Sequence, residues 1–201
     1  MRHAMTCAVL VALVGATTLP AQGPGLSDDR LGTRAAPLLL LTRADVRADL
    51  GLSSEQSAAA DAAIRELYSR AQALRGQGNT PQVIAARKAI DEAGRDWIAT
   101  HLSVEQQARL MQIDLQWEGP AALVTRGSLA ASLGLTAEQS RALRTAVDER
   151  RRAGPNAPDA ERRLAETTLA LLTPEQRDRW KAMRGRPFAV QATGAPPAAT
   201  R

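Results

Sequence analysis

The 201 residues carry 26 Lys/Arg against 21 Asp/Glu, a formal charge of +5, and aromatic residues only at Tyr68, Trp97, Trp117, Trp180 and Phe188. That cation excess is too small for a nucleic-acid-binding polyelectrolyte, and so few aromatics leave Ala, Leu, Ile and Val to build a core, which suits close-packed helices. The one cysteine, Cys7, lies in the first segment, so nothing after it has disulfide or thiolate chemistry at its disposal.

Arg2 and His3 make a short positive start, Met5 to Leu19 is mostly apolar and uncharged, and Pro20-Ala21 offers a small residue for cleavage. Residues 1–21 therefore read as an export signal peptide, and the remainder is expected to be periplasmic or secreted. The apolar run is shorter than the roughly 20 residues that cross a bilayer, so no stable membrane insertion is expected after cleavage. Residues 22–37 read as a flexible linker.

From there the chain alternates helices and stops. A short helix is expected over 43–50, ended by Gly51, and a longer one over 54–75, ended by Gly76. In the longer one Ile64, Leu67, Tyr68, Ala71 and Leu74 recur at three- and four-residue steps, as a single buried stripe requires. Thr80 caps and Pro81 opens a helix over 81–100 that places Val83, Ile84, Ile90, Trp97 and Ile98 near one face. A helix over 104–118 stops at Gly119-Pro120. Further helices follow over 126–133, 137–153, 159–171 and 174–184, and no segment reads as a strand. From 189 to 201 the tail is rich in Ala, Pro and Thr and is expected to be disordered.

Four of these helices open on the same five residues. Leu52-Ser53-Ser54-Glu55-Gln56, Leu102-Ser103-Val104-Glu105-Gln106, Leu135-Thr136-Ala137-Glu138-Gln139 and Leu172-Thr173-Pro174-Glu175-Gln176 each set a Ser or Thr hydroxyl three residues before a Gln. The hydroxyl can accept the N–H of that Gln, whose side chain can reach back to the cap's own N–H; together they make a capping box. The helix-capping residues are thus Ser53, Gln56, Ser103, Gln106, Thr136, Gln139, Thr173 and Gln176.

The boxes belong to a larger duplication. Residues 40–57 and 123–140 align without a gap at an offset of 83, with ten of eighteen positions identical, and Leu102–Ile113 matches Leu172–Met183 at an offset of 70. The expected fold is all-α: two duplicated units of antiparallel capped helices, 38–118 and 119–188, the second 13 residues shorter between its boxes. Acids stand four residues before arginines seven times (61/65, 66/70, 91/95, 105/109, 148/152, 159/163 and 175/179), the favourable order on a solvated helix face.

No catalytic constellation emerges. After the leader the chain has one histidine, His101, too few for a hydrolase triad or a zinc site, and residue 98 is Ile, not the Glu of a di-iron Glu-x-x-His motif. No catalytic residue, metal ligand or cofactor is assigned. What is left is a binding surface, for which Trp97, Trp117, Trp180, Met111 and Met183 are the candidates. Periodicity leaves open whether these rings fill the core or line a groove in which adaptable Met side chains hold apolar partners.

Repeated Leu-Thr-x-x-Gln boxes on helices behind an export signal resemble the Spy/CpxP-like periplasmic proteins of the LTxxQ family. The boxes at 135–139 and 172–176 fit best, since the first two replace Thr with Ser. The ending Trp180…Gly185-Arg186-Pro187-Phe188 is more similar to uncharacterised secreted bacterial relatives. The resemblance implies curved antiparallel helical hairpins, often a homodimer, with unfolded or envelope proteins as partners. The activities it implies are ATP-independent chaperoning of unfolded envelope proteins and inhibition of a stress-sensing kinase. It does not imply metal sensing, because the histidines of the metal-sensing relatives are missing. The alternative, a regulatory or scaffolding module binding one folded envelope partner, rests instead on the rigid surface that the capped helices provide.

Overall fold

A computed structural model describes residues 36–154 and 157–189, which are helical throughout apart from turns and short links; no strand occurs among them. The expected signal peptide, most of the linker and the tail from 190 onward lie outside the described residues. Ala36 and Pro37, assigned to the linker on sequence, instead open helix α1 (Ala36–Leu40). The chain continues through α2 (Ala44–Leu50), α3 (Ser54–Ala73), α4 (Pro81–His101) and α5 (Val104–Glu118). A 3₁₀ turn over Gly119–Ala121 then leads to α6 (Ala122–Thr125), α7 (Gly127–Leu133), α8 (Ala137–Ala153), α9 (Pro158–Leu171) and α10 (Pro174–Arg184).

The duplication extends further toward the N-terminus than residue 40. At the same offset of 83, α1 corresponds to the 3₁₀ turn and α6, matching Pro37 with Pro120, Leu40 with Leu123, Thr42 with Thr125 and Arg43 with Arg126. These brief segments do equivalent work. Helix α1 packs on the α3–α4 hairpin, whereas α6 packs on α8 and the 3₁₀ turn packs on α9. Each hairpin is amphipathic on one side only, and the short segment covers that side.

Gly51 and Gly134 end α2 and α7 in the left-handed conformation, at φ 61° and 65°, and their N–H groups close the last turn. That conformation is cheap only for glycine.

Two cores result. The first gathers Leu38, Leu40, Leu41, Val46, Leu50, Ala60, Leu67, Ala71, Ile90, Leu102, Leu110, Ile113 and Phe188. The second gathers Leu115, Ala122, Leu123, Leu133, Leu143, Leu172 and Trp180. Helix α5 serves both, with Leu110 and Ile113 in one and Leu115 in the other, and it packs directly against α10, its own counterpart in the duplication. The halves are therefore joined through equivalent helices.

Two residues assigned to buried stripes are not buried. Tyr68 and Ile84 are about half exposed, at 46% and 54%. At 100° per residue each lies one step round from a buried neighbour, Leu67 or Val83, and falls off the edge of its stripe.

Candidate functional site

All four capping boxes form in full. Ser53, Ser103, Thr136 and Thr173 each accept the backbone N–H of the Gln three residues on, at 3.0–3.3 Å, and each Gln side chain accepts the N–H of its cap residue at 2.9–3.1 Å.

Capping accounts for only half of what the glutamines do. In each half the two boxes stand back to back, and their carboxamides bond to each other. Gln56 Nε2 donates to Gln106 Oε1 (3.0 Å) and to the carbonyl of His101 (2.8 Å), the last residue of α4. Gln106 Nε2 donates in return to Gln56 Oε1 and to the carbonyl of Leu50, the last residue of α2, both at 3.3 Å. The second half repeats the arrangement: Gln139 Nε2 reaches Gln176 Oε1 and the Leu171 carbonyl at 2.8 Å, while Gln176 Nε2 reaches Gln139 Oε1 (3.2 Å) and the Gly134 carbonyl (3.0 Å).

Each carboxamide thus uses two donors and two acceptor lone pairs, its entire capacity. One knot satisfies orphan N–H groups at two helix starts and carbonyls at two helix ends. An ordinary capping box takes Glu or Gln at its third position. This one requires Gln, because a carboxylate has no N–H to give the facing carbonyl and would repel its partner.

The glutamates one position earlier face solvent. The Glu105 and Glu175 carboxylates accept from the Ser103 and Thr173 hydroxyls at 2.8 and 2.9 Å. First their own backbone N–H groups, then the Ser103, Thr136 and Thr173 hydroxyls, hold Glu105, Glu138 and Glu175 below the usual carboxylate value of 4.5.

The aromatic candidates do not share one surface. Trp180 is 3% exposed and belongs to the second core, so it offers no ring to a partner; Arg184 lies over that ring, 5.7 Å from its centroid. That guanidinium is pushed below its ordinary value by burial. Trp97 and Trp117 are partly buried against the first core. Trp97 stacks on His101 with centroids 4.6 Å apart, and Arg43 lies 4.9 Å from the Trp117 centroid. Met183 is partly buried against the second core, and only Met111, at 46%, stands well out. All three tryptophans lean on a core because in this chain no other side chain has their area.

Sequence reasoning missed the arginine junctions between elements. Arg43 and Arg126 stand at equivalent N-cap positions and converge on the end of α5: Arg43 stacks on Trp117, and Arg126 pairs with Asp114 (2.5 Å) and Glu118. Burial alone depresses the Arg126 guanidinium, but the two carboxylates more than reverse this and raise it.

Arg109, also buried, pairs with Asp49 (2.6 Å) and donates to the carbonyl of Arg186 (2.7 Å). Arg186 itself reaches Asp49 at 3.0 Å. Gln116 clamps the same segment, donating to the carbonyls of Arg184 and Arg186 and accepting the N–H of Phe188 at 2.7 Å. The ending Gly185–Phe188 is therefore a strap from the second half that seats Phe188 in the first core.

Of the acid–arginine pairs expected within helices, Glu66–Arg70 forms at 3.7 Å. Asp61 instead turns to Arg47, and Arg109 to Asp49, because ties between elements are better shielded from water. The identity of Arg43 and Arg126 in the aligned repeats was the available signal; nothing local marks Asp49 or Gln116.

Among the described residues no group of three or more His, Cys, Asp or Glu side chains gathers to hold a metal ion, and no helix is long and apolar enough to cross a membrane. No family model, curated protein or solved structure matches this chain.

Proposed function

We propose that this is a non-enzymatic exported protein of the Spy/CpxP type, acting as an ATP-independent envelope-stress chaperone that holds unfolded chains. The observation that carries the reading is the outer face of α5. Val104 (76% exposed), Ala108 and Met111 follow one another at helical spacing on a helix whose start is locked by the Gln56–Gln106 knot. A rigid helix with a narrow apolar stripe, ended by an adaptable Met, suits weak and sequence-tolerant contact with apolar segments. The purified protein without its leader should suppress aggregation of a chemically unfolded client at stoichiometric ratio, and Met111→Glu should weaken that suppression. No suppression at all sinks the proposal.

A second reading, a regulatory or scaffolding module for one folded envelope partner, is favoured by charge. Residues 119–188 carry 13 Lys/Arg against 8 Asp/Glu, a net of +5, whereas residues 36–118 carry 9 against 11, a net of −2. Such polarity orients a folded acidic partner better than it serves varied clients. Crosslinking in the native envelope separates the two, because one stoichiometric partner supports the module and a heterogeneous set supports the chaperone.

A further inference from the structure

The two hairpins differ most where they ought to match. Between α8 and α9 lies an open cavity of about 270 Å³, lined by Ala146, Glu149, Arg150, Ala160, Arg163, Leu164, Glu166 and Thr167. Through the offsets of 83 and 70, Arg150, Ala160 and Thr167 occupy the positions of Leu67, Ile90 and Trp97 in the first half. There Leu67 and Ile90 are buried, and Trp97 packs against the first core. The second half has replaced three large apolar side chains with a polar or small one at each position, while Leu164 in place of Gly94 and Leu143 in place of Ala60 add volume back elsewhere in the hairpin.

Most arginines of this chain are tied to something, and the charges round the cavity divide into tied and untied ones. Arg150 is held through Nε by Glu161 (2.7 Å), which leaves its two terminal nitrogens unbonded. Glu166 lies 3.9 Å from Arg162. Among the described residues Arg163 and Glu149 make no hydrogen bond or ion pair, with each other or with any other group. A free guanidinium and a free carboxylate thus border one cavity over an apolar floor of Ala146, Ala160 and Leu164.

We infer that this cavity is a binding site for a small zwitterion with an apolar side chain, an α-amino acid of about leucine size. Arg163 and the free nitrogens of Arg150 take the ligand's carboxylate, for which a guanidinium fork is the matched donor. Glu149 takes the ammonium, Thr167 can accept from it or donate to the carboxylate, and the side chain lies on the alanine–leucine floor. The volume is just below the roughly 300–1,000 Å³ of drug-sized sites and is enough to admit an amino acid. This site is independent of the chaperone reading, since it uses neither α5 nor an unfolded client.

The test is calorimetric titration of the protein without its leader, using L-leucine, 4-methylpentanoate, which lacks the ammonium, and 3-methylbutylamine, which lacks the carboxylate. Leucine should bind with a dissociation constant of about 1 mM or tighter, and each half-ligand at least about tenfold more weakly. Arg163→Ala and Glu149→Gln change solvent-facing side chains, leave folding intact, and should each weaken leucine about tenfold. The double variant Ala160→Ile/Thr167→Trp, which restores the first half's residues, should abolish binding. Absence of leucine binding overturns the site, as does leucine binding that survives Arg163→Ala unchanged. Equal binding of leucine and 4-methylpentanoate overturns the zwitterion assignment and the role of Glu149.

Discussion

The α3–α4 and α8–α9 hairpins descend from one pattern and fill their interiors in opposite ways. In the first, Leu38 of α1 reaches over Gly94, where an added methyl would lie 3.8 Å from Leu67 Cδ1 and 3.9 Å from Leu38 Cδ2. The equivalent positions in the second half hold Ala121 and Leu164. Large over small has become small over large, as has Ala60 with Ile90 against Leu143 with Ala160, all four buried. Cores tolerate such exchanges when total volume is kept. What neither half has exchanged is the glutamine knot, whose bonding leaves no slack for substitution.

The hardest test of this comparison is the strap, which has no counterpart: at the offset of 70, Phe188 corresponds to Glu118, a partner of Arg126. Phe188 is 5% exposed in the first core, so Phe188→Ala should cost about 3–5 kcal/mol. For a domain of this size each kcal/mol moves the melting temperature by roughly 2–4 °C, so the drop is easily read by circular dichroism. Unchanged melting would mean that the first half folds without the second half's end.

Next comes the volume exchange. Gly94→Leu alone overpacks the first hairpin against Leu67 and Leu38 and should cost about 1–3 kcal/mol. Adding Leu38→Ala installs the second half's pair, and the double variant should recover part of that loss although Leu38→Ala alone also destabilises. Urea melts of all four proteins give the coupling, and additive losses would refute the equivalence of the two pairs.

The knot separates capping from cross-tying. Thr136→Ala removes a cap worth about 1 kcal/mol. Gln176→Glu keeps the capping acceptor but removes both donors, to the Gly134 carbonyl and to Gln139, at a buried site. Its cost at neutral pH should exceed that of Thr136→Ala, at about 2 kcal/mol, because the Gly134 carbonyl and Gln139 Oε1 each lose a donor and face a carboxylate at the buried position of Gln176. A loss no larger than the cap's would reduce the box to a helix start.

The smallest effect is that of pH. Glu105, Glu138 and Glu175 are held below 4.5 in the folded protein, so the stability they contribute is complete above that value. It is lost as pH falls through their lower folded values. The wild-type melting temperature should therefore decline on acidification below about 4.5, and Glu138→Gln should flatten the decline slightly. A Glu138→Gln profile with the full wild-type decline would show that the hydroxyl and backbone bonds to Glu138 contribute nothing.

Helix starts and stops were legible along the chain because their causes are local. A hydroxyl three residues before its Gln, a proline at a first turn and a glycine at a last one act within a few residues, and helices α3, α5, α8 and α10 begin where those signals stand. The duplication was legible too, since both halves kept their boxes. The pairing of Gln56 with Gln106 and of Gln139 with Gln176 was not, although each is a hydrogen bond between residues already singled out. A capping motif says which N–H groups a side chain satisfies, and not which carbonyls will be brought against its unused donors. The same holds for Arg109 with Asp49, for Phe188 in the other half's core, and for the sorting of the tryptophans into buried Trp180 and half-buried Trp97 and Trp117. Periodicity assigns a residue to a face of its own helix. Only the tertiary structure decides what lies opposite, because burial and long-range ion pairs depend on elements that the chain brings together from 60 or more residues away.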